Sequence, residues 1–175
     1  IYFGLETNKT IVTNSKNKNE FDYPKNENSD LDNATNSYDG EAGLKLNTLD
    51  RMILAFSNGD INLAFSNNIN ENSKILTNRN VIERAKKIMP YLTYDNSPYL
   101  VITNEGNLVW VIDAYTTSKY YPYSQKSNIN GQEINYIKNS VKVLVDAYNG
   151  KVEFYITDRT DPIAMAYNKA FPDVF

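Results

Sequence analysis

The 175 residues contain no cysteine and no histidine. The first absence removes disulfides and a thiolate nucleophile. The second removes a Ser-His-Asp triad, an imidazole base and, with cysteine also missing, the common zinc sites. A basic surplus is missing as well. Eighteen Lys and Arg stand against 21 Asp and Glu, for a net charge of -3 and a pI near 5.0. Nothing in that balance favours a nucleic-acid backbone or an anionic membrane surface. Long apolar runs are absent too. Stretches such as Leu108 to Ile112 fall far short of the roughly 20 residues that cross a bilayer, and no signal-peptide pattern opens the chain. Carboxylate chemistry, hard-cation binding through oxygen, or a non-catalytic role remain, and no cofactor is expected.

A core is affordable within these limits. Hydrophobic residues make up 41% and aromatics 13%, too much for a disordered chain. The size fits one domain over residues 1–175. The chain opens on Ile1 rather than Met, which reads as a segment of a longer polypeptide. Asn occurs 26 times; Asn, Lys, Ile and Tyr share AT-rich codons, which points to a low-GC bacterium.

Local signals order the chain. Ile1-Tyr2-Phe3 and Thr10-Ile11-Val12 read as a β-hairpin or a pair of short edge strands. Residues 14–43 lack any period and read as a long polar loop pinned by Phe21, Tyr23 and Tyr38. Helices follow between residues 47 and 90. Asn47-Thr48 caps the first, with Leu49, Met52, Ile53 and Phe56 at i, i+3, i+4 and i+7 facing inward, and Asn58-Gly59 ends it. Asp60 begins a second, with Ile61, Ala64 and Phe65 inward. Asn80 with Glu83 begins a third, striped by Val81, Ile82, Ala85, Ile88 and Met89 and stopped at Pro90.

The second half turns to β-structure. Pro98–Thr103 and Leu108–Tyr115 flank a Gly106 loop, and Trp110 belongs to a central strand. Ser140–Ala147 and Lys151–Thr157 flank Asn149-Gly150, the signature of a type I′ hairpin. Ile134–Asn139 leans helical. Asp161-Pro162 opens a closing helix with Ile163, Ala166, Tyr167, Ala170 and Phe171 on one face. The class is α+β, with a mostly antiparallel sheet from two C-terminal hairpins packed against helices.

Two groups of residues qualify as sites. Asp113 and Asp146 share an Asp-Ala-Tyr context at apolar strand ends. Brought together, they could share a proton or a cation; apart, each begins a turn. The second group is the hydroxyl- and ring-rich loop carrying Thr117, Tyr120, Tyr121 and Tyr123, suited to stacking on sugars or to an interface hot spot. Of the four Arg, Arg79, Arg84 and Arg159 are expected in ion pairs.

Several strings resemble one family. They are Phe21-Asp22-Tyr23-Pro24, Pro98-Tyr99-Leu100-Val101, Trp110 through Ser118, Tyr121-Pro122-Tyr123-Ser124, Asn135 through Val143, Val145 through Gly150, and Asp161-Pro162-Ile163 with Phe171-Pro172. Together and in order they are similar to the uncharacterised protein family of multi-pass bacterial membrane proteins. The resemblance implies an extracytoplasmic soluble region of a membrane-embedded parent. Its partners would be other regions of the same protein or another protein. The family offers no catalytic residue to carry over. Asn78 stands where the family tends to have His. The reading is a non-catalytic interaction or assembly domain; the alternatives are a carboxylate-dependent hydrolase of cell-wall glycan or peptide, and a small-ligand sensor.

Overall fold

Two eleven-residue alternations, Leu108–Ser118 (β7) and Tyr136–Asp146 (β10), lie side by side and antiparallel in the computed structural model. The structure describes residues 1–16, 20–25, 33–45, 47–59, 61, 65–129 and 131–175. The chain divides into two compact units, one of residues 1–8 with 78–175 and one of residues 9–77.

The larger unit is built on β7, β10 and their neighbours. β11 (Val152–Ile156) pairs with β10, while β5 (Thr93–Tyr94) and β6 (Tyr99–Ile102) pair with the far side of β7. Side chains alternate across a pleated strand, so the register sorts the residues into two faces. Ile112, Ala114 and Thr116 lie beside Val141, Val143 and Val145, all buried, with Phe154 of β11 next to them. The opposite face carries Val111, Asp113 and Tyr115 with Lys142, Leu144 and Asp146. A register shift between Asn139 and Val141 lets Ser140 and Val141 both turn inward, as a bulge does.

Helices supply the second layer. The third helical signal becomes α2 (Val81–Ile88), where the Asn80 side chain accepts from the N–H groups of Ile82 and Glu83. Val81, Ile82, Ala85 and Met89 are buried as the spacing predicts, and Ile88 is exposed. The closing helix is α3 (Pro162–Ala170), capped by Asp161. Its buried residue is Ala164, whereas Ala166 and Ala170 face solvent; Tyr167 and Phe171 are half-buried against Tyr91. α2 packs on β10 and α3 on β7.

The unit of residues 9–77 is smaller. β1 (Ile11–Thr13) pairs with β4 (Lys74–Leu76), and β2 (Glu20–Pro24) with β3 (Asn33–Asn36), so part of the stretch expected as a loop is a β-ribbon. Tyr38 is buried there, while Phe21 and Tyr23 stand exposed. α1 (Thr48–Asn58) has its Asn47 cap and left-handed Gly59 stop. Its orientation differs from expectation. Leu49, Met52, Ile53 and Phe56 are exposed, Phe56 at 92%, and Ala55 packs inward on Ile75 with Val12, Leu54 and Ile69. The i, i+3, i+4, i+7 spacing fixes that a stripe exists, not which side meets a core. In the expected second helix, Asp60 and Ala64 lie outside the described residues, and Ile61 and Phe65 are exposed.

Three further expectations change. The chain start contributes only a bridge from Gly4 to Asn80, not a strand of Ile1–Phe3. Tyr136–Asn139 is strand rather than helix, because these residues find ladder partners in Tyr115 to Ser118; tertiary pairing overrides a weak local preference. The Asn149-Gly150 turn is not type I′. Gly150 has φ +65°, but Asn149 is not in the left-handed region, and a longer loop closes with the Gly150 N–H donating to the Asp146 carbonyl.

Candidate functional site

The tyrosine loop leaves the end of β7 and is held at both ends by side chains that bond to backbone. The Ser118 hydroxyl accepts from the Tyr120 N–H at 3.1 Å. The Asn135 amide works in both senses: it accepts from the Tyr121 N–H at 2.9 Å and donates to the carbonyls of Tyr121 and Ser124. The Ser124 hydroxyl returns a bond to the Asn135 carbonyl at 2.7 Å. β8 (Ser127–Ile129) and β9 (Gln132–Ile134) then form a hairpin with the Lys126–Glu133 ion pair at 2.7 Å beside it. Each partner stabilises the charge of the other, raising Lys126 and lowering Glu133 from their ordinary values.

The four residues expected to bind fall into three situations. Tyr120 is exposed, with the Lys119 ammonium 5.1 Å from its ring centre. Tyr123 is fully exposed and holds φ +59°, uncommon for a residue with a bulky side chain. Tyr121 instead stacks on Tyr136, with centroids 4.6 Å apart and planes at 18°. Thr117 sits in the ladder opposite Ile137. Thr117 and Tyr120 line one shallow, open cavity of about 300 Å³ with Ser118, Lys119, Glu133 and Ile134. Tyr121 and Tyr123 lie outside that lining.

Beneath the loop is a buried polar cluster absent from the sequence reading. The Tyr136 hydroxyl donates to Asp161 at 2.9 Å, the Thr116 hydroxyl donates to the other carboxylate oxygen, and the Ile163 N–H donates at 2.9 Å. Asp161 is completely buried. Burial pushes its carboxyl up, but the Ser140 hydroxyl beside it and these donors outweigh burial and hold it below its ordinary value. Tyr136 is pushed up to about 12 by burial and by the carboxylate it bonds. The stacked Tyr121 therefore rests on a ring that is fixed from below.

The sequence matches the uncharacterised protein family UPF0182 over residues 1–175. The chain belongs to that family. A UPF0182 protein of Clostridium botulinum and one of Clostridium tetani are each 49% identical to it over 175 residues, and one of Clostridium novyi is 47% identical. All of this chain is covered in each case, but it spans only 18%, 19% and 18% of the three relatives' lengths. No solved structure matches.

The UPF0182 segment does not bring its two candidate carboxylates together. Asp113 lies mid-strand opposite Lys142, and Asp146 lies opposite Val109 at the end of β10. Four ladder steps separate them, about 13 Å of strand, wider than the roughly 5–9.5 Å used by paired glycosidase carboxylates. The repeated Asp-Ala-Tyr text therefore does not mark equivalent strand ends, since the two strands run in opposite directions. Asp113 pairs with Lys142 and accepts from the Asn139 amide at 2.7 Å, and these partners, Lys142 first, hold its carboxyl low. Asp146 accepts the N–H groups of Tyr148 and Asn149 at 2.8 and 2.6 Å, the turn-starting role. Arg79 and Arg84 donate to the carbonyls of Tyr2 and Gly150, and Arg159 makes no ion pair with the described residues. No cluster of three metal-ligating side chains exists among the described residues.

The other unit holds a polar cleft of about 440 Å³, lined by Asn14, Ser15, Lys16, Glu20, Asn36, Ser37, Asn70 and Asn72. Its amides are largely engaged in holding the unit. Asn14, at φ +55°, donates to the Tyr38 carbonyl and accepts from the Tyr38 N–H and the Ser37 hydroxyl. The density of asparagine between residues 14 and 72 was the available signal for it.

Proposed function

We propose that this UPF0182 segment is a non-catalytic interaction or assembly domain on the extracytoplasmic side of a multi-pass membrane protein, and that Tyr120 and Tyr123 are its contact residues. One observation carries the reading: two exposed aromatic rings stand on a loop whose backbone is already fixed by Ser118 and Asn135. Rigid tyrosines give large amphipathic contact area while little conformational freedom is lost on binding. An open rim carrying Lys119, Glu133 and a ring suits a polypeptide surface better than an enclosed small ligand. The partner is another region of the same membrane protein or a second protein.

The test places a photo-crosslinking phenylalanine analogue at position 120 of the full-length protein in intact cells. Covalent adducts to polypeptide are expected, and Tyr123→Ala should weaken the captured complex by roughly 30-fold, the scale of a hot-spot residue. The same substitution should change unfolding stability by less than about 0.5 kcal/mol, because the ring touches solvent. Adducts to glycan alone, or none, would overturn the proposal.

A further inference from the structure

We infer that the sheet does not end at β6. In the complete protein an uncharged, extended strand from the same polypeptide, outside these 175 residues, pairs with its outer edge, which no other strand of the described residues occupies. The side chains come first. Tyr99, Leu100, Val101 and Ile102 are between 39% and 70% exposed, and all four are apolar or aromatic. Because strand side chains alternate, this exposure covers both faces. Leu100 stands opposite Trp110 on the helix side, and Tyr99 stands opposite Val111 on the other. A strand with one wet face would place polar residues there.

The backbone agrees. The Thr103 N–H donates to the Asn107 carbonyl at 2.8 Å, which sets the antiparallel alternation. Tyr99 and Val101 therefore direct their N–H and C=O groups to β7, and Leu100 and Ile102 direct theirs to the outer edge. Natural outer edges are guarded by lysine, internal proline or a bulge. The Tyr99–Ile102 register is regular, carries no charge, and has proline only before it, at Pro98. The opposite edge strand, β11, differs: Glu153 sits within it and Lys151 flanks it, joined by an ion pair.

Unpaired N–H and C=O groups at strand spacing specify an extended backbone, and apolar side chains on both faces specify an uncharged one. The rest of the polypeptide is the source, since the curated relatives run more than five times the length of the matched chain. A tethered strand competes at an effective concentration that a free partner rarely reaches. This inference is independent of the tyrosine loop.

Amide exchange on the full-length protein tests it. The Leu100 and Ile102 N–H groups should be protected by roughly 100-fold or more, the behaviour of a paired strand. Solvent-like exchange at both positions would overturn the inference. A photo-crosslinker at position 102 should label a peptide outside residues 1–175 of the same molecule. Mixing isotopically light and heavy protein identifies that molecule, and adducts to a second copy, another protein or lipid would each overturn it. Ile102→Lys should abolish protection at Leu100 while leaving it at Val101, whose N–H bonds to β7. Loss at Val101 as well would reveal unfolding, and Ile102→Thr, which keeps a β-branched uncharged residue, then provides the measurement. Tyr123→Ala should leave protection at Leu100 unchanged.

Discussion

Replacing Gly150 with valine is expected to destabilise the unit of residues 1–8 and 78–175 by about 2–5 kcal/mol, through two additive causes. Gly150 holds φ +65°, a conformation in which an L side chain is strained by roughly 1–2 kcal/mol. A Cβ there would also lie 2.6 Å from two atoms of the Phe3 ring. Phe3 is fully buried, its N–H bonds to the Ala147 carbonyl, and the Arg84 guanidinium lies 4.9 Å over its ring. Arg84 in turn donates to the Gly150 carbonyl at 2.5 Å. The ring therefore has no route away from the added methyl groups, and overpacking adds roughly 1–3 kcal/mol. Gly106→Val is the control. Gly106 also has positive φ, at +84°, but nothing lies within 4 Å of its missing Cβ, so only the conformational strain of about 1–2 kcal/mol applies. Denaturant unfolding of both variants checks the difference. Equal losses would show that the Phe3 contact contributes nothing.

The Phe3 contact also illustrates where sequence reading stops. Gly150 was marked by its Asn-Gly context, and the three helix starts by Asn47, Asn80 and Asp161, because caps and turns depend on neighbours within a few residues. The alternation of β7 and β10 was equally local. What depended on partners far along the chain was not legible. The stripe of α1 has the correct spacing but faces solvent, since a helix pattern carries no information on where the core lies. Tyr136 to Asn139 became strand only because Tyr115 to Ser118 lie alongside. Asp113 and Asp146 share their context, yet antiparallel pairing sends them in opposite directions. Within the tyrosine loop, no local signal separates Tyr121 from Tyr120 and Tyr123. The distinction comes from Tyr136, fifteen residues later, whose ring stacks on Tyr121 and leaves it 40% exposed, half as much as Tyr120.

Asp161→Ala is expected to destabilise the same unit by about 3–4 kcal/mol at pH 7, combining loss of a helix cap with two hydroxyls deprived of their charged acceptor. The carboxylate caps α3 through the Ile163 N–H and accepts from Thr116 on β7 and Tyr136 on β10. It thus ties one helix to the two central strands. Removing the cap alone accounts for about 1 kcal/mol; the Tyr136 hydroxyl left without its acceptor, and the Thr116 hydroxyl left with only its 3.4 Å bond to the Lys138 carbonyl, account for the remainder. The sign of the pH dependence follows from the lowered carboxyl. A group with a depressed folded pKa contributes stability above its unfolded value, near 3.9, and that contribution disappears as pH falls through the lower folded value. Wild-type protein should therefore lose stability on acidification below about pH 4. Asp113 and Asp158, held low chiefly by Lys142 and Lys138, act in the same window, so the difference between wild type and Asp161→Asn isolates the buried group. The asparagine keeps an oxygen for the Ile163 N–H and loses the charge that Thr116 and Tyr136 address. It should be less stable than wild type at pH 7 and should lose less on acidification, so that the two unfolding curves converge at low pH. Parallel curves from pH 7 to pH 3 would mean that the charge of Asp161 contributes nothing to holding α3 against the sheet.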